Sequence, residues 1–198
     1  MLHLDSQPNG IYDCFSGELL SEMQSADIMV INNEFTYSNR GTPLEGKAYT
    51  FRANPERVKL LEAFGTDIVS LANNHVYDYG EEALIDTLET LEGSSVPYVG
   101  AGRNLEEAKK IVYFIANGRK IAITAASQIE RSSNYTKEAT EDSAGVLKTL
   151  NPDKYVEVIK TAEENSDIVI AYVHWGTEHQ SWYGADQESL ADAFVEAG

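Results

Sequence analysis

Three short polar clusters hold the residue types that could do chemistry in this chain. Asn32-Asn33-Glu34 follows the apolar run 28–31, Asn73-Asn74-His75 follows the run 68–72, and His174-Trp175-Gly176-Thr177-Glu178 follows the run 168–173. Together they offer a carboxylate (Glu34), an amide oxygen (Asn74) and an imidazole (His174). That donor mixture suits a hard or borderline divalent metal ion. Such a site activates water and clamps a phosphoryl group or a similar oxyanion. His75 directly follows Asn74, and imidazole titrates near neutrality, so it is the candidate proton donor to a leaving group. Asn33, Asn73, Glu178 and Trp175 are the candidate supporting or substrate-contacting residues. Glu178 either orients an imidazole or is solvated.

Taken singly, each residue has a plainer account. An Asn-Asn pair after a strand makes a turn, a lone histidine is usually a hydrogen-bonded structural residue, and a lone loop glutamate is usually solvated. Function is favoured because all three clusters stand at strand ends. Trp175, Trp182 and Tyr183 could wall a pocket, but core or rim packing is the commoner role. His3 and His179 lack a strand-end position and read as surface residues. Asn134-Tyr135-Thr136 matches a glycosylation sequon, a pattern common by chance. Gly100-Ala101-Gly102 lacks the third spaced glycine of a dinucleotide loop.

The elements that must carry these clusters are legible. The stretches 26–30, 66–70 and 166–170 look alike: each places an aspartate at the entrance of an apolar, β-branched run without strict alternation. That pattern predicts strands covered on both faces, with the aspartates as turn or cap residues. Helices precede or follow them. Asn54-Pro55 is a start signal and Gly65 a stop, with Val58, Leu61 and Phe64 on one face. A second helix spans 81–92 with Leu84, Leu88 and Leu91 on one side. Asn151-Pro152 starts a third, carrying Val156, Ile159 and Ala162, and a last one begins near Asp186 with Leu190 and Phe194. A strand is predicted over 95–99, a capping box at Asn104 and Glu107, and a hairpin of 112–116 with 120–126 turning at Asn117-Gly118. Residues 36–50 and 127–145 read as long loops, which in compact domains tend to be functional or mobile. Ligands of α/β sheets bind at the carboxyl edge of the strands. The three clusters would therefore meet if their strands are parallel neighbours.

Composition narrows the function classes. The chain has 198 residues, 42% hydrophobic and 24% charged, which allows one domain with a sizeable core. Fifteen basic against 32 acidic residues give a net charge of −17. This argues against a nucleic-acid binder and raises the local concentration of cations. Cys14 is the only cysteine, so neither an internal disulfide nor a thiolate zinc cluster is available. No apolar run approaches the roughly 20 residues of a membrane helix, and the first ten residues are not a secretory signal as they stand.

In order, Asn33-Glu34, the segment 70–75 (Ser-Leu-Ala-Asn-Asn-His) with Asp78-Tyr79-Gly80, Val99-Gly100-Ala101-Gly102, and His174-Trp175-Gly176-Thr177-Glu178 resemble the bacterial CapA family of capsule-synthesis proteins linked to poly-γ-glutamate. The resemblance covers nearly the whole chain. That family looks like a branch of the calcineurin-like metallophosphoesterases. The resemblance implies an α/β fold, a layered sandwich with flanking helices, and two divalent metal ions at its carboxyl edge. It puts Glu34 at the position of a near-metal or bridging acid, Asn74 at the amide ligand, His75 at the leaving-group acid and His174 at an imidazole ligand. The family's opening Gly-Asp and late Gly-His-x-His motifs have no counterpart here, so residues 1–198 are expected to be a single domain truncated at both ends, with exposed sheet edges. Two activities follow as expectations. One is a metal-dependent phosphoesterase-like hydrolase acting in capsule or poly-γ-glutamate synthesis. The other is a non-catalytic component that handles an anionic polymer during synthesis or export. The implied partners are a phosphoester or anionic polymer and other capsule-synthesis components, and the implied location is the bacterial cell envelope or its outer side.

Overall fold

Helix-then-strand units build most of the fold, and the strands of the first units lie side by side. The computed structural model describes residues 6–129 and 135–198. Helix α1 (Gly17–Gln24) begins where the Ser16 hydroxyl accepts the Leu19 backbone N–H. It leads into β1 (Val30–Asn32). Strands β2 (Thr36–Tyr37) and β3 (Arg52–Ala53) pair in parallel and bracket the first long loop. The Asn54-Pro55 signal opens a 3-10 turn, Pro55–Lys59, with the Asn54 side chain accepting from Glu56 N–H, and α2 (Leu60–Ala63) continues it. Then come β4 (Ile68–Ser70), α3 (Glu81–Ser94), β5 (Tyr98–Val99), β6 (Ala101–Gly102) and α4 (Leu105–Ala108). The hairpin β7 (Val112–Ala116) and β8 (Arg119–Ser127) is followed by β9 (Gly145–Val146), α5 (Asp153–Glu163), β10 (Ile168–His174) and α6 (Ala185–Ala197).

Several sheets result. One is fully parallel, in the order β1-β4-β5, and a second has the order β10-β8-β7, with β10 parallel and β7 antiparallel to β8. Strands β6 and β9 form a small antiparallel pair. The two three-stranded sheets share a core of Ile68, Ala72 and Val99 from the first and Ile123 and Ala125 from the second. Gly100 makes that approach possible. Its φ is +84°, and a Cβ there would lie 2.5 Å from the Ala72 methyl and 2.9 Å from the Ala125 carbonyl oxygen. Leu84, Leu88 and Leu91 of α3 pack with Val69, Leu71 and Val76. Tyr155 and Ile159 of α5 meet Phe194 of α6, with Tyr155 and Phe194 edge to face at 5.0 Å.

The entrance aspartates brace neighbouring strands. Asp67 accepts the Met29 N–H at 2.7 Å, and Asp167 accepts the Lys120 N–H at 2.7 Å. The hairpin turns at Asn117 (φ 51°) and Gly118 (φ 75°), as the Asn-Gly signal predicts.

Four expectations need correction. Strand β10 is not covered on both faces. Val169 and Val173 pack with α5 and α6, but Ile168 and Ile170, which alternate to the opposite face of this edge strand, are exposed. The strand predicted over 95–99 shrinks to Tyr98–Val99, because Ser95 takes φ 62° as the left-handed cap of α3. The core face of α5 is Tyr155, Val158, Ile159 and Ala162, while Val156 is only partly buried. At Asn104 half of the capping box forms. Its side chain accepts Glu107 N–H, but the Glu107 carboxylate accepts the N–H of Arg103 instead of that of Asn104. Among the described residues, no helix is long and apolar enough to cross a membrane.

Candidate functional site

Strand ends decide where the polar clusters fall. Because β1 and β4 are parallel neighbours, with Asn32 opposite Ser70, the Asn32-Asn33-Glu34 and Asn73-Asn74-His75 turns emerge side by side. The third cluster arrives by a different route from the one expected. Strand β10 belongs to the second sheet, and the packing of the two sheets brings His174 to the others. His174 Nε2 lies 3.0 Å from Asn74 Oδ1 and 3.5 Å from Glu34 Oε1. Glu34 is steadied by Asn32, whose amide donates to Oε2 at 2.7 Å.

Asn73 is a structural staple. It is fully buried; its amide donates to Asn32 Oδ1 and Asn33 O, each at 3.0 Å, and its Oδ1 accepts His75 N–H at 3.0 Å and Val76 N–H at 2.9 Å. All of its hydrogen-bonding capacity is directed into the two turns. Asn33 is also buried, donating to Phe35 O. These two residues hold the turns in shape and leave Asn74 and Glu34 to present donors.

His75 sits beside the donor set and is backed by a carboxylate. Its Nδ1 donates to Asp78 Oδ2 at 2.7 Å, three residues on, and its ring rests against Phe51 at 4.5 Å between centroids. That bond assigns the proton to Nδ1 and leaves Nε2 for other chemistry. The Asp78 side chain is 0% exposed. It also accepts Phe51 N–H at 2.6 Å, and Lys47 Nζ stands 2.8 Å from its Oδ1. The same ammonium donates to the Asn74 backbone carbonyl, which Thr136 Oγ1 also reaches at 2.8 Å. The loop between β2 and β3 thus wraps the Asn74–Asp78 turn, and the Leu44 N–H to Asp78 O bond, at 2.9 Å, pins it further.

Sequence reasoning did not single out Lys47 or Phe51, and quoted Asp78 and Thr136 only as parts of motifs. Asp78 could have been found from its spacing of three after His75. Lys47 gave no signal, being one lysine in a Gly/Pro/Ser/Thr-rich loop. Trp175, Glu178, Tyr49 and Trp182 line an open cleft of about 760 Å³ that also exposes Glu34, Asn74, His75 and His174. Glu178 is exposed and stands 3.7 Å from the equally exposed His179. Trp175 packs against Phe194, with ring centroids 6.3 Å apart, while Trp182 and Tyr183 are exposed rather than packed. Near the cleft, burial raises the pKa of the Tyr172 phenol, and the Glu34 carboxylate adds to the shift. His3 and Asn134 lie outside the described residues.

The donor chemistry can be tested against a metal. Ligands about 2.1 Å from one ion stand about 3.0 Å apart when cis in an octahedron and about 3.4 Å apart in a tetrahedron. The 3.0 and 3.5 Å separations around His174 Nε2 lie close to the range that two ligands of one ion span. One carboxylate oxygen, one amide oxygen and one imidazole nitrogen therefore fit part of the shell of one divalent ion. Among the described residues, no group of three or more His, Cys, Asp or Glu side chains could hold a metal ion by itself.

Comparison with known proteins agrees with the sequence resemblance. The chain is 35% identical over 150 residues to the capsule biosynthesis protein CapA of Bacillus anthracis, covering 74% of this chain and 36% of that one. It is 33% identical over 153 residues to the PGA biosynthesis protein CapA of Bacillus subtilis, covering 77% of this chain and 39% of that one. It is 27% identical over 192 residues to a Mycobacterium tuberculosis protein named a probable polyglutamine synthesis accessory protein, covering 92% of this chain and 50% of that one. The chain thus spans half or less of the length of these relatives. Among solved structures, the NAD nucleotidase of Haemophilus influenzae has a TM-score of 0.46 at 16% identity, covering 69% of this chain and 23% of that one. At that overlap the likeness decides neither fold nor chemistry. Matched from residue 3 to residue 198 by the family described as bacterial capsule synthesis protein PGA_cap, the chain belongs to that family.

Proposed function

We propose that this chain carries part of the active site of a metal-dependent phosphoesterase-like hydrolase that serves capsule or poly-γ-glutamate synthesis. The observation that carries the reading is the meeting of three separate strand ends, which puts Asn74 and Glu34 at 3.0 and 3.5 Å from the His174 imidazole, with His75 in the same cleft. The relatives' names support the biological setting, and the packing of two sheets supports a layered phosphoesterase-like arrangement. A divalent ion held by Glu34, Asn74 and His174 would supply Lewis-acid stabilisation of a phosphoryl oxygen and activation of water. His75, carrying a proton on Nε2 as well as on the Nδ1 that Asp78 holds, would donate the Nε2 proton to the leaving oxygen, with Asp78 fixing its ring plane. Remaining ligands, and those of a second ion, would come from water, substrate or further residues of a longer polypeptide. On this reading residues 1–198 are one domain of an envelope or extracellular protein that meets other capsule-synthesis components.

A second reading is favoured by the donor chemistry, since among the described residues no group of three or more His, Cys, Asp or Glu side chains could hold a metal ion by itself. Here the same donors would hold a cation that bridges to an anionic polymer, without turnover. One experiment separates the two. Manganese binding and hydrolysis of aryl phosphate mono- and diesters are measured for this chain, for a longer version of it, and for Asn74→Ala, His174→Ala and His75→Ala. The enzyme reading expects Asn74→Ala and His174→Ala to weaken metal binding by about 10- to 100-fold. His75→Ala should keep the metal and lose about 10²–10⁴ in kcat. Metal binding without turnover in every version supports the polymer reading, and unchanged metal binding in both ligand variants overturns the donor set.

A further inference from the structure

The cleft over the donor set has walls that metal chemistry does not use. Tyr49, from the loop between β2 and β3, and Trp182, from the segment between β10 and α6, both line it. Their exposures are 69% and 71%. Among the described residues neither ring packs against another aromatic ring, in contrast to Trp175, which stacks on Phe194. Two large exposed rings, on separate loops, thus line the same cleft as Glu34, Asn74, His75 and His174. Exposed apolar surface gathered at a cleft marks binding, and loops on a rigid scaffold are where binding residues concentrate. Polar groups and exposed aromatic rings lining one cleft fit a ligand that has an anionic end and a flat body.

We infer that Tyr49 and Trp182 form a stacking subsite, and that the substrate of the cleft is a phosphoester attached to a ring, a nucleobase or a sugar, rather than an open-chain anion. This rests on the phosphoesterase reading for its anionic end only. The charge balance adds to the argument. The chain carries −17, and Glu34 and Glu178 line the cleft together with Lys47, so the field of the overall charge does not favour an anionic ligand. Affinity from stacking is indifferent to that field and tolerant of ring identity, because each ring has a face to offer.

The test is calorimetric titration of the 198-residue chain with manganese present, using adenosine monophosphate, glucose 1-phosphate and glycerol 3-phosphate. Adenosine without metal forms a fourth arm. At least one ring-bearing phosphoester is expected to bind about tenfold tighter than glycerol 3-phosphate, the factor that about 1.4 kcal/mol of stacking supplies. In Trp182→Ala and Tyr49→Ala that ratio should fall below about twofold. Asn74→Ala should weaken all three phosphoesters together and keep the ratio. Preference for the nucleotide identifies a base as the stacked ring, and preference for the sugar phosphate identifies a sugar. Equal binding of ringed and ringless probes, or a ratio untouched by both aromatic substitutions, overturns the subsite while glycerol 3-phosphate binding still supports the donor set. Adenosine binding that depends on Trp182, with no phosphoester binding, keeps the subsite and sinks the phosphoesterase reading. If no probe binds, both fall.

Discussion

Asn73 and Lys47 show how much of the site is held by residues that present nothing to a substrate. Asn73 uses both amide hydrogens and its oxygen to tie the turn after β1 to the turn after β4. Asn73→Ala removes those bonds from a fully buried position and leaves backbone groups without partners. The expected loss is about 3 kcal/mol, read from urea denaturation, at about 1–3 kcal/mol for each orphaned group. Lys47 does comparable work for charge. Its side chain is 7% exposed and stands against the wholly buried Asp78 carboxylate. Lys47→Met strips one partner from a buried pair, a change that costs about 3–5 kcal/mol elsewhere. The residual bonds from His75 and Phe51 put the expectation here near 3 kcal/mol. A loss below about 1 kcal/mol in either variant would mean that the turns keep their shape without these staples.

At the scale of elements, the donor set depends on two sheets meeting closely enough for β10 to deliver His174 to Asn74. Gly100 is where that distance is set. Gly100→Ala meets two penalties, a left-handed backbone and a Cβ position 2.5 Å from Ala72 Cβ and 3.0 Å from Ala125 Cβ. Gly118→Ala, in the β7–β8 turn, meets only the first, since φ is +75° and nothing lies within 4 Å of its Cβ. The expected costs are about 3 kcal/mol at residue 100 and about 1 kcal/mol at residue 118, by urea denaturation. The first should also weaken metal binding and the second should not. Equal costs at both positions would show that backbone conformation, not sheet contact, is what Gly100 provides.

Over the whole molecule, charge and burial shape the response to pH. The Asp86 carboxyl is held below its ordinary value by hydrogen bonds from Arg40, with Ser38 contributing, and Glu92 by hydrogen bonds from Arg103, with Tyr98 contributing. Both are lowered in the folded state, so their stabilisation is present above the unfolded carboxyl value of about 4 and is lost as pH falls through the folded values. Burial raises the phenols of Tyr37, Tyr98 and Tyr155. Their stabilisation is complete below about pH 10, the unfolded phenol value, and is lost as pH rises beyond it. Thermal denaturation across pH should therefore show a plateau between about pH 5 and 10 with a fall on each side. Asp86→Asn should lower the plateau and flatten the acid arm. An acid arm identical to that of the unsubstituted chain would remove the Arg40–Asp86 pair from the account.

Strand-end clusters were legible in the sequence because period and turn chemistry are local. An apolar run followed by Asn-Asn-His or His-Trp-Gly reads the same wherever the strand lies, and the helix starts and the Asn117-Gly118 turn are equally local signals. The family was legible for the same reason, through ordered motifs. Tertiary structure alone decided that β10 lies in the second sheet, at its edge, and still brings His174 to Asn74, 100 residues away in sequence. It alone decided that Lys47, from an aperiodic loop, closes on Asp78, that Asn73 is consumed by four hydrogen bonds while Asn74 is not, and that Tyr49 and Trp182 share one cleft. Sheet order, loop closure and the burial of a charge depend on what packs across tens of residues, and no local pattern encodes that packing.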